Sequence, residues 1–342
     1  MTAAGAGVSE GEIARVRARS RAVLIAGQVL AGIGMGATLS AGALIVTQVS
    51  GSEALSGMAA TMWTVGAAIA AVPLAAFATR RGRAPALATG AIVAAVGAVV
   101  GLVATVVGSL LLLLVGLVLI GVGTAVNLQA RFAATDLSDP SRRGRDLAVV
   151  VWSTTLGAVL GPNLIEPGDV VGIAIGLPPL AGTFLFTIAA QLAAAAIYFA
   201  GLRPDPLRLA TRIGLERPGS PEAAPRRADT SGIATGIVAT SLSHATMVAV
   251  MAMTPVHLVH HGATLQTVGF TISLHVLGMY VLSPLWGMLA DRVGREAVIA
   301  LGQVLLLGAL LLLAAGAESE LWVTAGLLVI GLGWSAATVA GA

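Results

Sequence analysis

The chain has no cysteine, no lysine and little charge of either sign. Without cysteine there is no disulfide, no thiolate nucleophile and no cysteine metal site. Only 10% of its 342 residues are charged, where a soluble domain carries roughly a quarter. Phosphate-cradling loops, nucleophile triads and nucleic-acid modules are missing too, as is the soluble nucleotide-binding domain that an ATP-driven pump needs. An enzyme, a resident cofactor and a nucleic-acid partner are therefore not expected. Residues 1–21 are polar and bear arginine, unlike a cleavable signal.

What is present is apolar. Hydrophobic residues make up 57% of the chain, and the mean hydropathy is +0.93. Runs of about 20 apolar residues recur, the length that crosses a hydrocarbon core of roughly 30 Å as helix. Spans are predicted at 22–47, 54–78, 85–106, 109–130, 147–165, 176–201, 232–255, 265–286, 297–316 and 320–342. All 19 basic residues fall in alternate connections: the N-terminus, the second-to-third, the fourth-to-fifth, the sixth-to-seventh and the eighth-to-ninth. The positive-inside rule then places the N-terminus and the middle loop in the cytoplasm. The partner implied throughout is a lipid bilayer, the bacterial cell (inner) membrane, which the chain crosses many times.

The halves repeat. At a fixed offset of 212 positions, Arg80, Gly82 and Arg83 match Arg292, Gly294 and Arg295, and Gly57, Gly66 and Gly90 match Gly269, Gly278 and Gly302. The expected organisation is a cytoplasmic segment 1–21, a six-helix bundle 22–201, a linker 202–231 and a four-helix bundle 232–342. The linker is rich in proline, arginine and glutamate and shows no apolar period. Six spans precede it and four follow, which reads as a twelve-helix protein lacking its last two helices.

Gly287-x-x-x-Asp291-Arg292-x-Gly294-Arg295 resembles the signature of the major facilitator superfamily between its eighth and ninth helices. The earlier copy at Arg80, Gly82 and Arg83 resembles the one between the second and third. The resemblance covers the whole chain and implies an all-α membrane protein, a major facilitator-type two-bundle fold with about ten helices here. On physical grounds Gly287 would let helices approach closely, and Asp291 could cap a helix or pair with an arginine. The cluster then either latches one conformation or only anchors the topology. The first copy departs from the pattern, since Thr79 replaces the aspartate and Ala75 the first glycine. A latch there would need its carboxylate from Asp136, Asp139 or Asp146.

Gly157-x-x-x-Gly161-Pro162-Asn163 resembles a motif of the superfamily's drug:proton antiporters, although the glycine pair expected after Pro162 is absent. Its glycines share a helix face and its proline bends the helix, so ordinary packing is the other reading. The arginine that the family often carries in its fourth helix is replaced by Leu117, and Arg131 reads as a boundary anchor. Asn127 and Gln129 either line the inner end of a cavity or bond to neighbouring helices, and Gln28 is a further lining candidate. His244 and His275 lie mid-span and are candidates for a coupling proton, against the alternative of neutral, hydrogen-bonded histidines. Glu166 is placed near a span's outer end. His257, His260 and His261 follow Pro255 with no carboxylate or cysteine nearby in the sequence, so a wet loop or a pH-sensitive gate is expected there instead of a metal.

The function implied is secondary active transport by a monomer: proton-coupled efflux of small amphipathic or drug-like molecules. The alternatives are a sugar or metabolite uptake symporter, and a non-transporting membrane protein or inactive fragment.

Overall fold

The computed structural model describes residues 9–138, 143–216 and 230–341. Among them there is no strand, and ten helices are long and apolar enough to cross a membrane. In the first half, α1 (Glu10–Ser50), α2 (Met58–Arg81), α3 (Arg83–Val107) and α4 (Leu110–Thr135) are joined by short turns. The fifth span is α5 (Arg143–Leu160), a 3₁₀ turn (Gly161–Leu164) and α6 (Ile165–Ala174); the sixth is α7 (Thr183–Gly201). After α8 (Pro206–Glu216), the second half comprises α9 (Thr230–His260), α10 (Leu265–Tyr280), α11 (Ser283–Val293), α12 (Arg295–Ala315) and α13 (Glu320–Gly341).

The internal repeat is visible in backbone as well as sequence. Gly82 and Gly294 each end one helix and begin the next at φ 94° and 93°, a region open in practice to glycine alone. Equivalent helix crossings also recur. A Cβ at Gly66 would stand 1.8 Å from the Val118 carbonyl oxygen, and one at Gly278 2.8 Å from that of Leu328. With so little apolar contrast between protein and lipid, such close backbone approach is what holds helices together.

Three elements differ from the sequence reading. The first helix begins at Glu10 and not near residue 22, because Ser9 caps it by accepting from the Glu12 amide at 3.2 Å. The fifth span continues past residue 165 to Ala174. Pro162 lacks the amide that would reach the Ala158 carbonyl, and α-helix gives way there to the 3₁₀ turn before resuming at Ile165. The neighbouring Val159 carbonyl accepts from Asn163 Nδ2 (3.0 Å) and Ser273 Oγ (2.7 Å). Glu166 consequently stands on α6 with an exposed side chain, inside the span instead of at its end. The linker, read as lacking an apolar period, folds over Pro206–Glu216 into a short amphipathic helix. Leu209 and Ile213 on one of its faces pack against Val16 and Leu137; about three turns are too few for a period to stand out among arginines. The remainder of the linker, 217–229, lies outside the described residues.

Candidate functional site

Between the halves lies a cavity of about 370 Å³, within the usual size of a small-molecule site, roughly 300–1,000 Å³. Helices α1, α2, α4 and α5 form one wall, with Met35, Trp63, Asn127 and Arg131 among the lining side chains. Helices α9 and α10 form the other, with His244, Met247, Met251 and Tyr280. Most of the lining is apolar, and one end holds a connected group of polar side chains.

That end carries a hydrogen-bonded chain. Asn127 Nδ2 donates to Gln28 Oε1 at 2.7 Å, and Gln28 Nε2 donates to the buried Tyr198 hydroxyl at 3.1 Å. Arg131 Nε donates to Asn127 Oδ1 at 3.1 Å, and Thr154 Oγ1 lies 3.3 Å from both Asn127 Nδ2 and Gln28 Oε1. Gln28 and Asn127 thus reach the cavity. Gln129 does not: it points away and accepts from Arg83 Nη1 at 2.8 Å. Arg131, read as a boundary anchor, faces the cavity.

The opposite end is where the halves touch. Asn163 Nδ2 donates to Ser273 Oγ at 2.7 Å, Ser56 Oγ donates to Met253 Sδ at 3.0 Å, and His260 Nδ1 lies 3.2 Å from Glu53 Oε1. The carboxylate near the histidines, absent from their own stretch of sequence, comes from 207 residues away. Both of its partners are exposed, so this pair contributes little, about 0–1 kcal/mol. Gly269 adds a backbone contact, since a Cβ there would stand 2.5 Å from the Pro162 carbonyl oxygen. Gly157 and Gly161 serve a crossing inside the first half, against Val29, Ile33 and Gly36 of α1.

At the arginine-bearing end the two repeats part company. Arg83 is buried; its Nε and Nη2 donate to the two oxygens of Asp136 at 2.8 and 3.0 Å. Asp205 accepts from the Ala84 amide at 2.8 Å and caps α3. Of the three carboxylates considered for this turn, Asp136 is the one that engages it. Asp146 instead meets Arg21 at 3.2 Å and Ser138 at 2.6 Å, and Asp139 lies outside the described residues. In the second copy Asp291, Arg292, Gly294 and Arg295 are all exposed, and among the described residues none of their side chains has a hydrogen-bond or ion-pair partner. The close approach expected at Gly287 is not used: a Cβ there would meet only Val339, at 3.9 Å. Helix α11, which carries this residue, buries no side chain.

The two mid-span histidines differ as sharply. His244 lines the cavity and accepts from Trp334 Nε1 at 3.1 Å. His275 is fully buried between α10 and α13, with Nδ1 2.7 Å from the Leu327 carbonyl oxygen, and lies outside the cavity wall. Nothing in the sequence separates them, since both sit among small and apolar residues. Among the described residues there is no group of three or more His, Cys, Asp or Glu that could hold a metal.

Comparison with known proteins agrees with this architecture. Residues 24–342 match the family described as Major Facilitator Superfamily. The chain is 36% identical over 329 residues to the uncharacterised MFS-type transporter YdeG of Bacillus subtilis, covering 94% of this chain and 76% of that protein. It is 27% identical over 321 residues to the riboflavin transporter RfnT of Brucella anthropi, covering 93% of this chain and 78% of that protein. Among solved structures, a bacterial homologue of the human lysosomal transporter Spinster, inward-facing and occupied, superposes with a TM-score of 0.69 at 16% identity. It covers 95% of this chain and 73% of that one.

Proposed function

The chain belongs to the Major Facilitator Superfamily, and from that premise we propose that it exports a small amphipathic molecule in exchange for protons. It is a multi-pass membrane transporter. Its fold is the two-bundle helical one expected from the sequence. The observation that carries the proposal is the predominantly apolar cavity walled by both halves and closed at one end by contacts between them. Rocking of the halves would break the Asn163–Ser273 contact and bring the free Asp291 turn into play at the other end. The alternation of arginines supports a cytoplasmic position for that end and for the N-terminus, in a bacterial inner membrane. On this assignment the structure is open to the cytoplasm, and the Asp291–Arg295 turn is a latch for the opposite state. His244, in the cavity wall, is better placed than His275 to exchange a proton with solvent. The Gly157–Pro162 segment supports exchange over uniport only through its resemblance to antiporters. The proposed unit is a monomer, since each half of the cavity comes from the same chain.

The test is accumulation of a panel of small fluorescent amphipaths in a host stripped of its own exporters. Export predicts lower accumulation than in the empty host, restored by a protonophore. Higher accumulation than in the empty host would overturn it in favour of uptake. That second reading draws on one observation, the 27% identity to a riboflavin transporter along nearly the whole chain.

A further inference from the structure

Among the residues lining the cavity, Arg131 is the single arginine, and no aspartate or glutamate accompanies it. Its Nε is held by Asn127, and Asn127 is in turn held by Gln28 and the buried Tyr198. The two terminal nitrogens of the guanidinium have no partner among the described residues. Two carboxylates at the arginine-bearing end are already committed: Asp136 is engaged bidentately by Arg83 and Asp146 by Arg21. A cation held beside apolar walls is costly unless a counter-charge reaches it. Its fixed fork presents two parallel donors, the geometry that a carboxylate accepts.

We propose that the transported molecule is a monoanionic organic acid, with its carboxylate on the free nitrogens of Arg131 and an apolar body against Met247, Met251 and Tyr280 on the facing wall. One guanidinium offsets one negative charge, which disfavours a dianionic phosphate. A cationic amphipath would meet like charge with no carboxylate to receive it. The inference rests on the reading of the cavity as the substrate site and narrows its substrate class.

The test measures binding to the full chain in nanodiscs of uncharged lipid, using three probes of one shape: 2-naphthoate, 2-naphthamide and 2-naphthylmethylammonium. The expected order is naphthoate, then amide, then ammonium, with naphthoate about tenfold tighter than ammonium and the margin shrinking at high salt. Arg131→Gln brings naphthoate and amide together. Arg131→Lys keeps the order but weakens naphthoate several-fold, because the fork is lost. Arg15→Gln, on an exposed turn outside the cavity, keeps all three affinities. Equal affinity for naphthoate and amide, or tighter ammonium, overturns the anion proposal and leaves the amphipath site standing. Binding of none of the three overturns both. If Arg131→Gln does not fold, Arg131→Lys decides, and an unchanged naphthoate affinity there counts against the proposal.

Discussion

The two copies of the arginine turn share a backbone and a pair of arginines, and differ in what those side chains meet. The first copy lacks the motif's aspartate and first glycine, yet Arg83 is buried, doubly bonded to Asp136 and bonded again to Gln129. The second copy keeps every motif residue, and its charged groups stand in the open. A complete motif therefore does not report a formed contact. The first turn is satisfied by carboxylates borrowed from elsewhere, Asp136 at the end of α4 and Asp205 after α7. These lie in the same half as Arg83 or in the segment leading out of it, so rocking of the halves leaves them in place. Among the described residues the second turn has no such partner in its own half, and on the proposed cycle its bonds form only when the open end closes.

The comparison breaks if the first turn can be dismantled cheaply. Arg83→Ala leaves the largely buried Asp136 without its cation, and removing one member of a fully buried pair costs about 3–5 kcal/mol, an upper bound here. The unfolding midpoint of this variant in nanodiscs should fall by several degrees at least, and an unchanged midpoint would dissolve the contrast between the copies. A finer cut uses the shared glycine. Both Gly82→Ala and Gly294→Ala impose a strained backbone worth about 1–3 kcal/mol. Only at Gly82 does the new Cβ also meet the Asp205 carboxylate, 2.5 Å away. Gly82→Ala should be the more destabilising of the two, and equal losses would mean that Asp205 is free to move aside.

Smaller still is the effect at the sealed end. Asn163→Ala removes a side-chain bond between the halves worth about 1 kcal/mol. It should raise the reactivity of a probe cysteine placed at Ser40 toward a reagent added on the Glu53 side. The smallest effect belongs to the open copy: Asp291→Asn should change stability by less than about 0.5 kcal/mol. It should nonetheless slow transport if the turn latches the other state. A stability loss as large as that of Arg83→Ala would show that Asp291 is not free.

The ten spans were legible because two independent signals agreed, apolar length and the placement of every arginine. The repeat was legible because both turns need glycine at one position and both carry arginine beside it. The cavity wall was not. These helices are apolar nearly all round, so periodicity cannot say which face looks inward. Asn127 and Gln129 are two residues apart, yet one lines the cavity and the other holds Arg83. His244 and His275 both lie mid-span, and only packing separates a lining residue from a buried one. The role of Arg131 was hidden for the same reason. Its position near the end of α4 suits an anchor as well as a cavity wall, and the difference is a rotation about the helix axis. The Asp136 partner could be named only as one of three carboxylates, because loop geometry and not spacing selects among them.

The central claim is that the cavity closes at the arginine-bearing end as it opens at the other. The chain has no cysteine, so pairs introduced for spin labels are unique. One pair would join the exposed Arg80 and Arg292 positions across the arginine end, the other the exposed Glu53 and His261 positions across the sealed end. Distances measured with and without transported substrate and a pH gradient should change in opposite senses, the first shortening as the second lengthens. Two distances that move together, or neither moving while transport proceeds, would contradict it.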